Sequence, residues 1–174
     1  MVRSFPVALF TLILVSTSGC AGAPSARFDG HTFVRGNEQF HVAQLGQGWR
    51  RLSAPAGDLA WEHAPTHAVI AANATCRGHK DSPLEILLND LLIGTTHRRR
   101  LLEEDVVLDG RQALHEVVAA RLDGVSVVFD LYVLKKDGCV YDLALLVKPQ
   151  AYDHVAGAFV DFVVSFRALG KGRG

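Results

Sequence analysis

The chain has 174 residues with 18 basic and 18 acidic side chains, so its formal charge is zero, and 49% of its residues are hydrophobic. A length in this range bounds it to one domain with a sizeable core, and the balanced charge leaves no electrostatic footprint for nucleic acid.

At the N-terminus, Arg3 supplies a positive region and Phe5 to Val15 an apolar run broken by Pro6 and Thr11. Ser16, Thr17, Ser18 and Gly19 then form a small-residue stretch ending at Cys20. This order resembles the lipobox of bacterial lipoprotein signal peptides, in which a thioether-linked lipid is added to the cysteine that becomes the first residue. The family usually has Leu three residues before that cysteine, where this chain has Thr17, whereas the Ser18-Gly19 pair fits. Two other readings compete. Ordinary secretion would cut after Ala21-Gly22-Ala23, although Pro24 makes a poor residue after a cut. An uncleaved anchor would need about 20 apolar residues, more than this run supplies. The lipobox resemblance implies a signal peptide over 1–19 and attachment to the lipid bilayer through acylated Cys20. With Ala21 next, it implies the outer membrane, facing the periplasm. Residues 20–30 are expected to be a tether, 31–169 a single α+β domain, and 170–174 a flexible tail.

Cys76 and Cys139 remain as a pair, 63 residues apart. In an exported chain that suggests a disulfide, whose loop closure would stabilise the fold by about 4 kcal/mol. The alternative is two buried free thiols.

Weak strands are expected over His31–Arg35 and Gln39–Leu45 around a Gly36-Asn37 turn, then over Asp58–His63 and Thr66–Cys76. Ser82-Pro83-Leu84-Glu85 reads as a capping box with Pro at the first helical position, opening a helix to about Ile93 before Gly94. Asp109-Gly110, Asp123-Gly124 and Asp137-Gly138 then recur every 14 residues. Asp-Gly between apolar runs is a strong hairpin signal, because a type I′ turn needs positive φ at both central residues. The turns imply a four-strand antiparallel meander over 100–148, with strands Arg100–Leu108, Arg111–Leu122, Val125–Lys136 and Cys139–Lys148. Both of its faces are largely apolar, so it is expected to join the N-terminal strands in one sheet covered by helices on both faces. One cover is a C-terminal helix from about Pro149 to Leu169, with Tyr152, Val155, Phe159, Phe162, Val163 and Phe166 at helical spacing.

This order, with the Gly48-Trp49 element after the first strands, resembles the PsbP-like sandwich of photosystem II accessory proteins and of DcrB-like bacterial envelope lipoproteins. The likeness spans roughly residues 31 to 169, and it lacks the Pro that the family often has before Gly-Trp. It implies an accessory or binding module with no shared catalytic apparatus.

Chemistry-bearing motifs are few. Gly46-x-Gly48-x-x-Arg51 breaks the dinucleotide fingerprint at its third glycine, and no nucleophile elbow occurs. His63 and His67 stand four apart, but Pro65 between them disfavours the helix that would make them a zinc pair. His97-Arg98-Arg99-Arg100 reads as a solvated basic loop that could meet phosphate or lipid head groups. Two polar rows follow from the hairpin register. Glu103 lies opposite Glu116, with Asp105 and Asp142 on the same side; Glu104, His115 and Tyr132 line up on the other face. Opposed like charges destabilise a sheet unless solvated or bound to a cation. These rows are candidate binding rows, weighed against an exposed sheet end. The expectation is a non-enzymatic envelope lipoprotein that engages an envelope protein partner, with no catalytic residue, no cofactor and no resident metal. The alternative is a periplasmic module for a small ligand or cation.

Overall fold

The computed structural model describes residues 25–53, 59–78 and 81–170; Cys20 and the expected signal peptide lie outside them. In chain order the strands begin with β1 (Arg27–Phe28), β2 (Thr32–Arg35), β3 (Glu38–His41), β4 (Trp49–Arg51), β5 (Leu59–His63) and β6 (Val69–Thr75). Helix α1 (Leu84–Leu91) leads into β7 (Thr95–Leu108), β8 (Arg111–Leu122), β9 (Val125–Lys136) and β10 (Cys139–Val147). A 3-10 turn at Pro149–Ala151 opens α2 (Tyr152–Ser165), and β11 (Arg167–Ala168) follows.

The three turns carry the sequence signal directly into structure. Asp109, Asp123 and Asp137 have φ of 49–52°, and the glycines after them 72–81°. These paired positive angles hold β7 to β10 as consecutive antiparallel neighbours, with Glu103 opposite Glu116 and His115 opposite both Glu104 and Tyr132. β7 starts at Thr95, five residues before the expected start, so His97 to Arg100 form a strand and not a loop. Two register shifts interrupt it, between Thr96 and Arg99 and between Arg100 and Leu102.

The expectation of a single sheet needs correcting. β4 to β10 form a seven-stranded sheet in the order β4-β5-β6-β10-β9-β8-β7, whereas β1, β2, β3 and β11 form a separate four-stranded one. β1 lies inside the segment expected to be a tether. It pairs with β2, and Phe28 meets Trp61 edge to face at 5.8 Å. β11 arises because α2 stops at Ser165: Phe166 turns extended, is fully buried, and feeds Arg167 and Ala168 onto β3. The apolar stripe is therefore helical only as far as Val163.

Two apolar clusters lie on opposite sides of the large sheet. The larger joins Phe33, Phe40, Ile70, Tyr141, Leu143 and Leu145 to Val155, Phe159, Phe162 and Val163 of α2. The smaller joins Leu87, Leu88 and Leu92 to Leu114, Val118, Phe129, Leu131 and Val133. Each such fully buried side chain contributes roughly 1.5–3 kcal/mol relative to exposure. The capping box does not form: α1 has no side-chain cap, and the Ser82 carbonyl instead accepts a hydrogen bond from Lys135 Nζ.

Cys76 and Cys139 form the disulfide, joining the end of β6 to the start of β10 beside the Thr75–Val140 pair. Gly48 (φ 89°) admits a tight approach, because a Cβ there would lie 2.9 Å from His63 Nε2, whose ring rests 5.0 Å from that of Trp49. The Gly-Trp element thus folds the β4 edge onto β5. Asp109 ties the two sheets together, its carboxylate accepting from Lys136 Nζ at 2.7 Å and from the Ala168 backbone N–H at 2.8 Å.

Candidate functional site

Consecutive residues on a strand point to opposite faces, so His115 and Glu116 of β8 enter different clusters. Both are buried, at 7% and 4% exposure, and Asp130 of β9 is buried at 3%. The expectation of an exposed sheet end therefore fails for His115 and Glu116, and holds for Glu103, Glu104 and Asp105 on the edge strand.

On the α2 side, His115 stands between two carboxylates. Its Nδ1 lies 2.9 Å from Glu104 Oε1 and its Nε2 lies 2.8 Å from Asp130 Oδ1. Ionised carboxylates only accept, so this arrangement favours a ring protonated on both nitrogens. Burial opposes that charge, but the hydrogen bonds to Asp130 and Glu104 outweigh it and raise the His115 pKa above its ordinary 6.5. The Tyr132 ring stacks on the imidazole, with centroids 3.9 Å apart and planes 9° from parallel. Burial, with Asp130 and Glu104 nearby, pushes the Tyr132 hydroxyl up to about 12. Tyr152, the first residue of α2, donates its hydroxyl to Asp130 Oδ2 at 2.7 Å. Burial and that bond raise its own pKa. Asp130 and Tyr152 complete the network, and the rows read from sequence omit both. Asp130 was legible as a lone acid inside an apolar strand; the reach of Tyr152 depended on how α2 docks.

On the α1 side the opposed carboxylates find an internal cation. Arg100 Nε donates to Glu116 Oε1, and Arg100 Nη1 lies 2.5 Å from Glu103 Oε2. The guanidinium thus bridges the two opposed carboxylates. Neither Asp105 nor Asp142 joins this bridge: Asp105 projects from the exposed edge, and Asp142 sits on β10, two strands away. Among the described residues, no group of three or more His, Cys, Asp or Glu side chains could hold a metal ion.

Other candidates resolve into local structure. His63 and His67 lie on a turn, with His63 Nδ1 2.9 Å from Thr66 Oγ1 and His67 Nδ1 2.8 Å from Glu62 Oε1. That bond to His67, aided by Arg50, holds the Glu62 carboxyl below its usual range. Arg98 donates to the Leu92 carbonyl and to Thr95 Oγ1, closing the end of α1. An open cleft of about 460 Å³ lies next to the His115 network, lined by His97, Arg99, Leu101, Arg121, Tyr152 and Asp153 among others. A smaller cleft of about 160 Å³ flanks the disulfide beside Arg77 and Arg111.

No protein-family model matches the chain, and no curated protein matches it in sequence. Solved structures do share its fold. The cyanobacterial PsbP of Synechocystis superposes with a TM-score of 0.51 at 12% identity, covering 89% of this chain and 98% of that one. LpqN of Mycobacterium tuberculosis, described as involved in cell envelope biogenesis, gives 0.55 at 13% identity over 75% of this chain and 84% of its own. A putative regulator of unknown function from Pseudomonas aeruginosa gives 0.50 at 12% identity, over 83% and 96%. At these identities the likeness concerns the fold alone: an antiparallel α+β architecture of the PsbP-like kind.

Proposed function

We propose that the chain is a cell-envelope lipoprotein, held to the outer membrane through acylated Cys20 and facing the periplasm. Its domain acts as a non-enzymatic accessory module that engages a protein partner. The observation that carries this reading is the mutual engagement of the buried His115, Asp130 and Glu116 side chains. A general base needs a free lone pair, and a nucleophile needs a free base beside it. Both nitrogens of His115 face carboxylates, both oxygens of Asp130 are engaged, and Glu116 is bridged to Arg100. Such a network orders a fold and leaves none of these three groups free to act as a base. α1 and α2 each pack on the large sheet, and its exposed β7 edge offers a surface to a partner. Val107, 81% exposed on β7, marks that edge. The envelope role of LpqN, which shares the fold, supports the address.

Two measurements test this. Metabolic labelling with palmitate should mark the wild-type chain and not Cys20→Ala, which should accumulate as precursor; equal membrane fractionation of unlabelled Cys20→Ala would overturn the anchor. A photo-crosslinking amino acid at Val107 should trap a protein adduct in intact cells. Absence of any adduct would overturn the interaction role.

A second reading, a small-ligand module, draws on the open cleft beside Tyr152. His97, Arg99 and Arg121 at its rim favour an anion over a cation. Isothermal titration with small carboxylates and phosphates would separate it from the first reading.

A further inference from the structure

The long edge strand carries its own complement. β7 runs for 14 residues at the end of the seven-stranded sheet, and eleven of its side chains are exposed. The other edges among the described residues are short, three residues at β4 and two each at β1 and β11. An edge strand presents a row of unpaired N–H and C=O groups, and short length is one way that proteins blunt it. β7 is not blunted in that way.

Its sequence is His97-Arg98-Arg99-Arg100, then Leu101-Leu102, then Glu103-Glu104-Asp105. A two-fold axis between Leu101 and Leu102 would set the basic half of one strand against the acidic half of another. Residues three apart in a regular strand lie on opposite faces, yet Arg100 and Glu103 lie on the same face and bridge at 2.5 Å. The register shift between Arg100 and Leu102 produces this. The faces therefore match across the axis. Arg100 would meet Glu103 of a second copy on one face, and Arg99 would meet Glu104 of that copy on the other. Arg98 would stand opposite its Asp105. Arg99 and Asp105 have no oppositely charged partner among the described residues, so the pairing would give each of them one nearby.

We infer that β7 pairs antiparallel with β7 of a second copy of this chain, centred on Leu101–Leu102, so that two seven-stranded sheets join edge to edge. Opposite charges facing each other across strands stabilise the pairing, and like charges there oppose it, so the alternating blocks select this register over shifted ones. The inference deepens the interaction-module reading by naming the partner. Anchoring both copies in one membrane would raise their effective concentration and favour a small edge contact.

The test uses two tags on the full-length chain, co-expressed and extracted from membranes in mild detergent. One tagged wild-type copy should capture the other. Arg99→Glu on both copies should lower capture at least tenfold, since a carboxylate at that position would then face the carboxylate of Glu104. Glu104→Arg on both copies should do the same, by setting two guanidinium groups against each other. Mixing the two variants should restore capture, because the new carboxylate of one copy meets the new guanidinium of the other while the second symmetric contact keeps Glu104 against Arg99. Should Glu104→Arg fail to fold for want of its His115 contact, the loss in Arg99→Glu alone still decides. Wild-type copies that do not capture each other, or capture unchanged in Arg99→Glu, overturn the inference. A Val107 adduct with a different protein and no second-copy capture would retain the interaction role while sinking self-pairing.

Discussion

His115 and Glu116 are neighbours in the chain and nearly equal in burial, yet the two faces neutralise them by different means. Glu116 receives one guanidinium, which reaches in from the exposed edge strand and stays partly solvated. His115 is held by carboxylates on both sides, and the chain of contacts runs on through Asp130 to the first turn of α2. The first arrangement is local to a single strand pair. The second spans three strands and a helix, and it includes a histidine whose pKa is raised by its carboxylate partners. Equal burial therefore does not mean equal cost of disruption: what counts is whether the partner left behind can reach water.

The largest effect should come from Asp130→Ala, which strands His115 Nε2 and the Tyr152 hydroxyl in the interior. Removing one partner of a buried pair typically costs several kcal/mol. We expect about 3 kcal/mol here, read as a fall in the urea midpoint. A loss no greater than that of a surface mutant would show that the network is dispensable.

Tyr152→Phe should cost about 1 kcal/mol, the usual net worth of one hydrogen bond, by loosening the start of α2 alone. Faster hydrogen exchange confined to the first turn of α2 would be the signature, and unchanged protection there would contradict it.

Glu116→Gln should cost less again, about 1 kcal/mol or below, because the amide stays neutral and Arg100 keeps Glu103 and solvent. A cost matching that of Asp130→Ala would erase the contrast between the faces.

Finally, the two faces should differ in their response to pH. The folded pKa of His115 lies above its ordinary 6.5, so the stability it contributes is complete below that value. It is lost as pH rises through the folded pKa. Unfolding midpoints measured upward from pH 6 should fall in the wild type and in Glu116→Gln, while His115→Gln flattens that slope. A parallel slope in His115→Gln would assign the titration elsewhere.

Much of this contrast was readable beforehand. Both pairs in the polar rows follow from two-residue turns whose register admits no slip, so the placement of Glu104, His115 and Tyr132 needed no tertiary knowledge. Arg100 escaped because a bulge, invisible to alternation, brings it to the face of Glu103 and Glu116. Tyr152 escaped because helical periodicity identifies the buried stripe of α2 but not which strand its first residue touches. The capping box at Ser82 was a local signal defeated by a distant side chain, since Lys135 takes the Ser82 carbonyl and the helix forms without its cap.

Wherever the deciding interaction joins residues close in the chain, the sequence by itself determined the outcome. The three Asp-Gly turns have backbone angles that few other dipeptides adopt cheaply, and they set the meander and its register. Cys76 and Cys139, although 63 residues apart, pointed to their bridge because they were the pair left over. Only the tertiary structure decided the rest: the separate small sheet closed by β11, the end of α2 at Ser165, the guanidinium between two glutamates, and the long uncovered edge of β7. Each of these is a competition among distant partners for the same backbone groups or charges. Such competitions are settled by packing, which local patterns do not encode.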